Sequence, residues 1–170
     1  MMRTEMIKIL LDVDGVLNAS NSGWSRAPKS GNAFADGNSW RMRWEPEVMD
    51  RITKLNNTPN IEVLWATTWV GHTRQLENLF KLPALLSAGS RAMSIDDKQT
   101  AALEIITTST DRLIWIDDQA IPLSGDLYDQ LIKEYGRVLL IRPASSRGLR
   151  PEHFDQIDKF VNLDMSMSNV

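Results

Sequence analysis

The chain has 170 residues, 42% hydrophobic and 24% charged, with a formal net charge of −3. That is the balance of a globular protein with one substantial core; it is too short for two ordinary domains, and any affinity for anionic partners has to be local. Cysteine is absent, which excludes disulfides and thiolate metal sites and fits a reducing compartment.

Glu5 and Lys8 interrupt the first apolar run, and Asp12 ends it before a signal-peptide core can form. No stretch is long and apolar enough to span a membrane. The expected location is therefore cytoplasmic, and the sequons Asn18-Ala19-Ser20 and Asn56-Asn57-Thr58 are read as accidental.

In chain order, Ile7 to Val13 reads as a strand buried on both faces, and it runs out in Asp12, Asp14 and Gly15. Residues two apart on a strand project to the same side, so the two carboxylates can converge where it ends. Ala19 to Ser39, with Gly23, Pro28, Gly31 and Gly37, is expected to be a long loop or a small hairpin flap, a candidate lid for that point. Arg41 to Trp44 is a candidate return strand. Pro46 then opens a helix to about Leu55, striped by Val48, Ile52 and Leu55. Ile61 to Ala66 is a second buried strand, ending in Thr67, Thr68 and Trp69, and a helix follows from Thr73 to Phe80. Leu82 to Ala88 holds a candidate short strand. Ser94 to Lys98 starts a helix, and Leu113 to Ile116 is a strand terminated by Asp117 and Asp118. The next helix is predicted over Asp126 to Tyr135, with Leu127, Leu131 and Ile132 inward and Gly136 as its C-cap. Val138 to Ile141 is the last strand, and Pro151 opens a final helix with Phe154, Ile157, Phe160 and Val161 on one face.

Strands alternating with helices predict an α/β fold, a doubly wound, Rossmann-like parallel sheet of about five strands flanked by helices, with a small flap in place of a large cap domain. One domain is expected over residues 1–164, with the flap at about 18–44 and a flexible tail at 165–170. Ligands bind such sheets at the carboxyl ends of the strands, where Asp12, Thr67 and Asp117 all fall. If their strands are neighbours, Asp12, Asp14, Asp117 and Asp118 crowd together. Two unit charges about 4 Å apart repel by roughly 4 kcal/mol at an effective dielectric near 20, so cations must compensate. A hard, oxygen-preferring ion such as Mg2+ suits this ligand set, and Lys98 can supply a second positive charge. With a Thr67 hydroxyl, the pocket suits a phosphoryl group. Any one of these residues has an ordinary explanation, as a turn former, a cap or a solvated lysine. The ordered combination is what points to a site.

That combination, Asp12-Val13-Asp14-Gly15-Val16-Leu17, then Thr67, then Lys98, then Trp115-Ile116-Asp117-Asp118, resembles the four motifs of the haloacid dehalogenase-like (HAD) hydrolases, mostly Mg2+-dependent phosphatases, and covers most of the chain. The resemblance implies that Asp12 is the nucleophile and Asp14 the general acid and base. Thr67, favoured over Thr68 because it comes first after the buried run, would hold a phosphoryl oxygen. Lys98 would steady nucleophile and phosphate. Mg2+ would be ligated by Asp12, the Asp14 carbonyl and Asp117, with Asp118 assisting. WATTW paired with WIDD, and Gly148-Leu149 before the last helix, are more narrowly similar to phosphatase-type domains associated with RNA-repair proteins.

A minimally capped site is open enough for a nucleotide or a nucleic-acid terminal phosphate. The flap region offers Trp24, Trp40 and Trp44, with Trp69 beyond it, either to stack bases or to pack a core, and Arg26, Lys29, Arg41 and Arg43 to meet phosphates. His72 follows the second motif and is either a substrate contact or an exposed loop residue; His153 is expected on the surface. Alternatives are a phosphatase of a small metabolite or sugar phosphate, and a catalytically inactive HAD-like binding module. A two-component receiver domain orders its motifs differently, with its lysine last, whereas Lys98 precedes the Asp117-Asp118 pair. An EF-hand loop fails because Gly15 comes too early, and no Walker A or GxGxxG pattern is present. Oligomeric state has no readable signature.

Overall fold

The apolar runs become strands β1 (Ile7–Leu11), β4 (Ile61–Trp65), β5 (Leu86–Ser87), β6 (Arg112–Ile116) and β7 (Val138–Ile141), and the polar flap becomes a hairpin of β2 (Lys29–Ala35) and β3 (Asn38–Trp44). Helices α1 (Pro46–Asn56), α2 (Thr73–Phe80), α3 (Ile95–Thr108), α4 (Asp126–Lys133) and α5 (Pro151–Met167) connect or follow them. The structure is a computed structural model that describes residues 4–20, 23–134 and 136–167. The sheet order is β5-β4-β1-β6-β7 and every pairing in it is parallel.

β1 lies in the centre because it is the strand that must be covered on both faces and both edges, and its residues are buried nearly throughout. Its register puts Leu11 opposite both Trp65 and Ile116. Asp12 and Asp117, the next residues of their strands, therefore emerge side by side. Successive side chains alternate faces. On one face Trp65 donates through Nε1 to Glu77 of α2 (2.8 Å), and Arg112 donates to the Phe160 carbonyl of α5 (3.1 Å). Asp12 and Asp117 turn to the opposite face, toward α3.

The hairpin turns at Asp36 and Gly37, which have φ of 52° and 78°, the left-handed pair that a two-residue hairpin turn of matching twist requires. Its return strand starts three residues earlier than the expected Arg41. Ala33, Met42 and Trp44 are buried, and the Trp44 ring packs on Phe80 of α2 at 5.2 Å between centroids. At the free edge of β2, Gln75 acts as a substitute strand: the Phe34 N–H donates to its Oε1 (2.8 Å), and its Nε2 donates to the Phe34 carbonyl. The flap is thus clasped to α2.

Some local expectations are corrected. Ile132 is 45% exposed, because the α4 stripe runs through Leu131 and the next residue is turned about 100° away. α4 ends at Lys133 with Glu134 as its cap, so Gly136 lies beyond it. The short strand expected within Leu82 to Ala88 is reduced to β5, Leu86–Ser87. His153 is half-buried, its Nδ1 accepting the Arg150 N–H at the start of its own helix (3.0 Å). Residues 168–170 of the expected tail lie outside the described residues.

Candidate active site

Beyond β1 the chain coils tightly. The Val13 carbonyl accepts from the N–H groups of Val16, Leu17 and Asn18, and the Gly15 N–H donates back to the Asn18 carbonyl (3.0 Å). Gly15 has φ of 75°, and a Cβ on it would lie 2.2 Å from Asp118 Oδ2. The absence of a side chain is what lets the Asp118 carboxylate settle against this turn. Asp118 is held from the other side by the Ser145 hydroxyl, which donates to the same Oδ2 (2.8 Å). Gly148 repeats the device, with φ of 65° and Val16 O only 2.4 Å from where its Cβ would be. Gly15→Ala should combine backbone strain with displacement of Asp118 and cost on the order of 2 kcal/mol. Urea denaturation checks this, and unchanged stability would contradict the packing described.

Lys98 arrives from the first turn of α3, fixed by a capping box: the Asp97 N–H donates to Ser94 Oγ (3.1 Å) and the Ser94 N–H to Asp97 Oδ2 (2.9 Å). Its ammonium lies 2.8 Å from Asp117 Oδ2 and 3.2 Å from Asp12 Oδ2, with all three side chains buried. Asp117 Oδ1 accepts from the N–H groups of Gln119 (2.8 Å) and Ala120 (2.7 Å). Asp12 Oδ1 accepts from the Val13 N–H (2.8 Å). Burial, with the Asp117 charge behind it, pushes the Asp12 carboxyl from 3.8 up to about 7, against the pull of Lys98. Burial also works against the charged lysine, but Asp12 and Asp117 outweigh it and hold Lys98 above its ordinary range.

Asp14 is exposed and is held by two neutral donors: Asn18 Nδ2 on Oδ1 and Trp69 Nε1 on Oδ2, each at 2.9 Å. Asn18 also accepts the Arg43 N–H through Oδ1 (2.9 Å), tying the root of the hairpin to the motif turn. Thr67 is fully buried and its Oγ1 accepts from the Trp69 N–H (3.2 Å), whereas Thr68 is exposed. The structure thus brings together Asp12, Lys98, Asp117 and Asp118, with Asp14 alongside. It adds Asn18 and Ser145, which the motif reading does not include. Asn18 carried a signal, a short amide closing a glycine turn. Ser145 lies in a loop remote in sequence and carried none.

Compared with models of protein families, residues 8–154 match the HAD domain in Swiss Army Knife RNA repair proteins. The chain belongs to this family. No curated protein and no solved structure matched it.

In this HAD domain one carboxylate oxygen each from Asp12, Asp117 and Asp118 lie within 4.8 Å of one another. Three carboxylates against one buried lysine leave negative charge to be neutralised, and an all-oxygen set fits a hard cation such as Mg2+. The Asp14 side chain stands outside that cluster. The raised Asp12 pKa sets a sign. An acid whose folded pKa lies above its unfolded value contributes stability that is complete below about pH 4 and is lost as pH rises through about 7. A divalent cation offsets that loss by replacing the proton. Mg2+ should therefore raise Tm more at pH 8 than at pH 5.5 in thermal melts; equal shifts would refute this linkage.

The aromatic residues of the HAD domain divide. Trp44 and Trp69 are buried. Trp24 is half-buried, donating through Nε1 to the Leu149 carbonyl (2.8 Å) and meeting Phe154 edge-on. Trp40 is 52% exposed, and Arg41 and Arg43 are exposed. His72 faces Asp36 at the hairpin tip, 3.9 Å away. Among the described residues no helix is long and apolar enough to cross a membrane.

Proposed function

We propose that this HAD domain is a Mg2+-dependent phosphomonoesterase working through an aspartyl-phosphate on Asp12, with a nucleotide or a nucleic-acid terminal phosphate as substrate. The observation that carries the reading is the buried Asp12–Lys98–Asp117 chain beside Asp118: a carboxylate immobilised by a lysine next to a set of metal-type oxygens.

Asp12 and Asp117 would hold Mg2+, with Asp118 assisting and the Asp14 carbonyl contributing. Bound there, the ion supplies charge neutralisation that lets an anionic carboxylate approach an anionic phosphate. An Asp12 oxygen attacks phosphorus, the bond from phosphorus to the ester oxygen breaks, and Asp14 gives that oxygen its proton. Asp14 then takes a proton from water as the water oxygen attacks phosphorus, and the bond from phosphorus to Asp12 breaks to release inorganic phosphate. Lys98 fixes the Asp12 carboxylate throughout and offers positive charge to the phosphoryl oxygens. Asn18 and Trp69 aim the Asp14 carboxyl. Thr67 is the hydroxyl assigned to a phosphoryl oxygen; the exposed Thr68, Arg41 and Arg43 are assigned to the substrate side, whereas Trp69 and Trp24 are packed into the fold with their indole N–H groups on Asp14 and the Leu149 carbonyl.

The test is release of inorganic phosphate from an aryl phosphate, from nucleotides, from 3′- and 5′-phosphorylated oligonucleotides and from sugar phosphates, each with Mg2+ and with a chelator. Metal-dependent turnover is expected, highest on the nucleotide class. Well-folded protein that releases phosphate from none of them would refute the proposal, and preference for sugar phosphates would refute the substrate class.

A further inference from the structure

We infer that the outward face of the β2–β3 hairpin is a docking strip for single-stranded nucleic acid, receiving the nucleotides behind the phosphorylated end. The inference rests on the phosphomonoesterase reading and adds that the substrate is a polymer.

The register defines the strip. Ser30 pairs with Arg43, Asn32 with Arg41 and Phe34 with Ser39. Partners across an antiparallel pair share a face and residues two apart repeat it, so these six side chains line one surface. All six are exposed, Phe34 at 61%. On the opposite face Ala33, Met42 and Trp44 are buried, while Lys29 and Trp40 on that face stay exposed. A large aromatic side chain left in water on a face that also holds two arginines does not serve the core. It suits a surface that stacks bases while guanidinium groups meet phosphates.

Charge points the same way. Between residues 19 and 44, Arg26, Lys29, Arg41 and Arg43 oppose only Asp36, a balance of +3 in a chain whose total is −3. The rest of the chain therefore carries −6. The flap is thus locally basic, as is the stretch 137–150 with its four arginines and no acid, and Asp36, the one acid of the flap, lies at its tip near His72. A locally basic surface of this kind attracts a polyanion even though the chain as a whole is acidic.

The strip is also fixed in place and leads to the site. Arg41 Nη2 donates to Ser30 Oγ across the strands (2.9 Å), holding its guanidinium over the face. Gln75 clasps the Phe34 backbone at one end. At the other, the Arg43 N–H bonds to Asn18, whose amide bonds to Asp14. From Arg43 to Phe34 the rungs span roughly 14 Å, room for several phosphates at a stacked spacing of ~3.4 Å per strand. A metabolite monoester would not reach it.

The experiment uses the Asp12→Asn chain, so that binding is read without turnover. Affinity for a fluorescent RNA octamer phosphorylated at its 5′ or 3′ end is titrated between about 50 and 200 mM salt. Arg41→Gln and Arg43→Gln should each weaken binding and lower the salt slope by about 0.7. Phe34→Ala should weaken it roughly tenfold at an unchanged slope. Because all three positions are exposed, circular dichroism should show intact folds. Octamer affinity and salt slope that are the same in all three variants would overturn the strip. Failure of the wild-type chain to release phosphate from any of the aryl, nucleotide, oligonucleotide and sugar phosphates would overturn the phosphomonoesterase reading separately, since the binding assay involves no turnover.

Discussion

Asp12→Asn should abolish Mg2+-dependent phosphate release, lowering kcat by roughly 10³-fold or more, while the protein remains as stable as the wild type or becomes more so. The substitution keeps the shape, and the amide oxygen can still accept the Val13 N–H that Asp12 Oδ1 accepts at 2.8 Å. It removes the proposed nucleophile, because an amide oxygen is too weakly basic to displace an alkoxide from phosphorus. It also removes a buried charge that burial and Asp117 both oppose, so metal-free protein at pH 8 should gain rather than lose stability. Opposite movement of activity and stability is the signature of a group placed for chemistry rather than for folding. Steady-state kinetics on an aryl phosphate together with thermal melts provide the check. Retained activity would remove Asp12 from the nucleophile's role, and a large fall in Tm would make its role structural.

Lys98→Met should be the most destabilising single change in the site. The lysine lies 2.8 Å from Asp117 and 3.2 Å from Asp12. Without it two buried carboxylates face each other with no cation between them. Removing one partner of a buried pair typically costs about 3–5 kcal/mol, or roughly 10 °C in Tm for a chain of this size. The loss should be smaller at pH 5.5, where Asp12 retains its proton, and largest at pH 8. Mg2+ should return part of it. Urea denaturation at both pH values, with and without the ion, measures all of this. A loss below about 1 kcal/mol at pH 8 would mean that the two carboxylates are not jointly charged in the folded protein.

The sheet and the motif positions were legible because both are written in short-range pattern. A buried strand is a run of apolar β-type residues, and an acid that ends it marks the carboxyl edge where ligands collect. Side-chain partnerships are a different matter. Ser145 reaches Asp118, and Trp69 reaches Asp14, across separations that no local periodicity encodes. Tryptophan was ambiguous for a chemical reason: the same large apolar ring serves a core and a base, and its indole N–H distinguishes neither. Trp44 and Trp69 are packed inside, while Phe34, which attracted no notice in sequence, is the exposed aromatic residue of the strip. The Ile132 expectation failed by one step of helical rotation, beside a correctly placed Leu131.

The clasp between Gln75 and Phe34 grips only main-chain atoms, the amide hydrogen and the carbonyl. Whatever side chain stands at position 34, the grip is unchanged. The position of the hairpin is therefore decoupled from the identity of what it displays, much as a tool holder is indifferent to the tool. Polar exchanges at Asn32, Phe34, Ser39 and Arg41 should alter fold stability by no more than about 0.5 kcal/mol each, so the proposed strip can be rewritten while the buried carboxylates of Asp12 and Asp117 stay untouched.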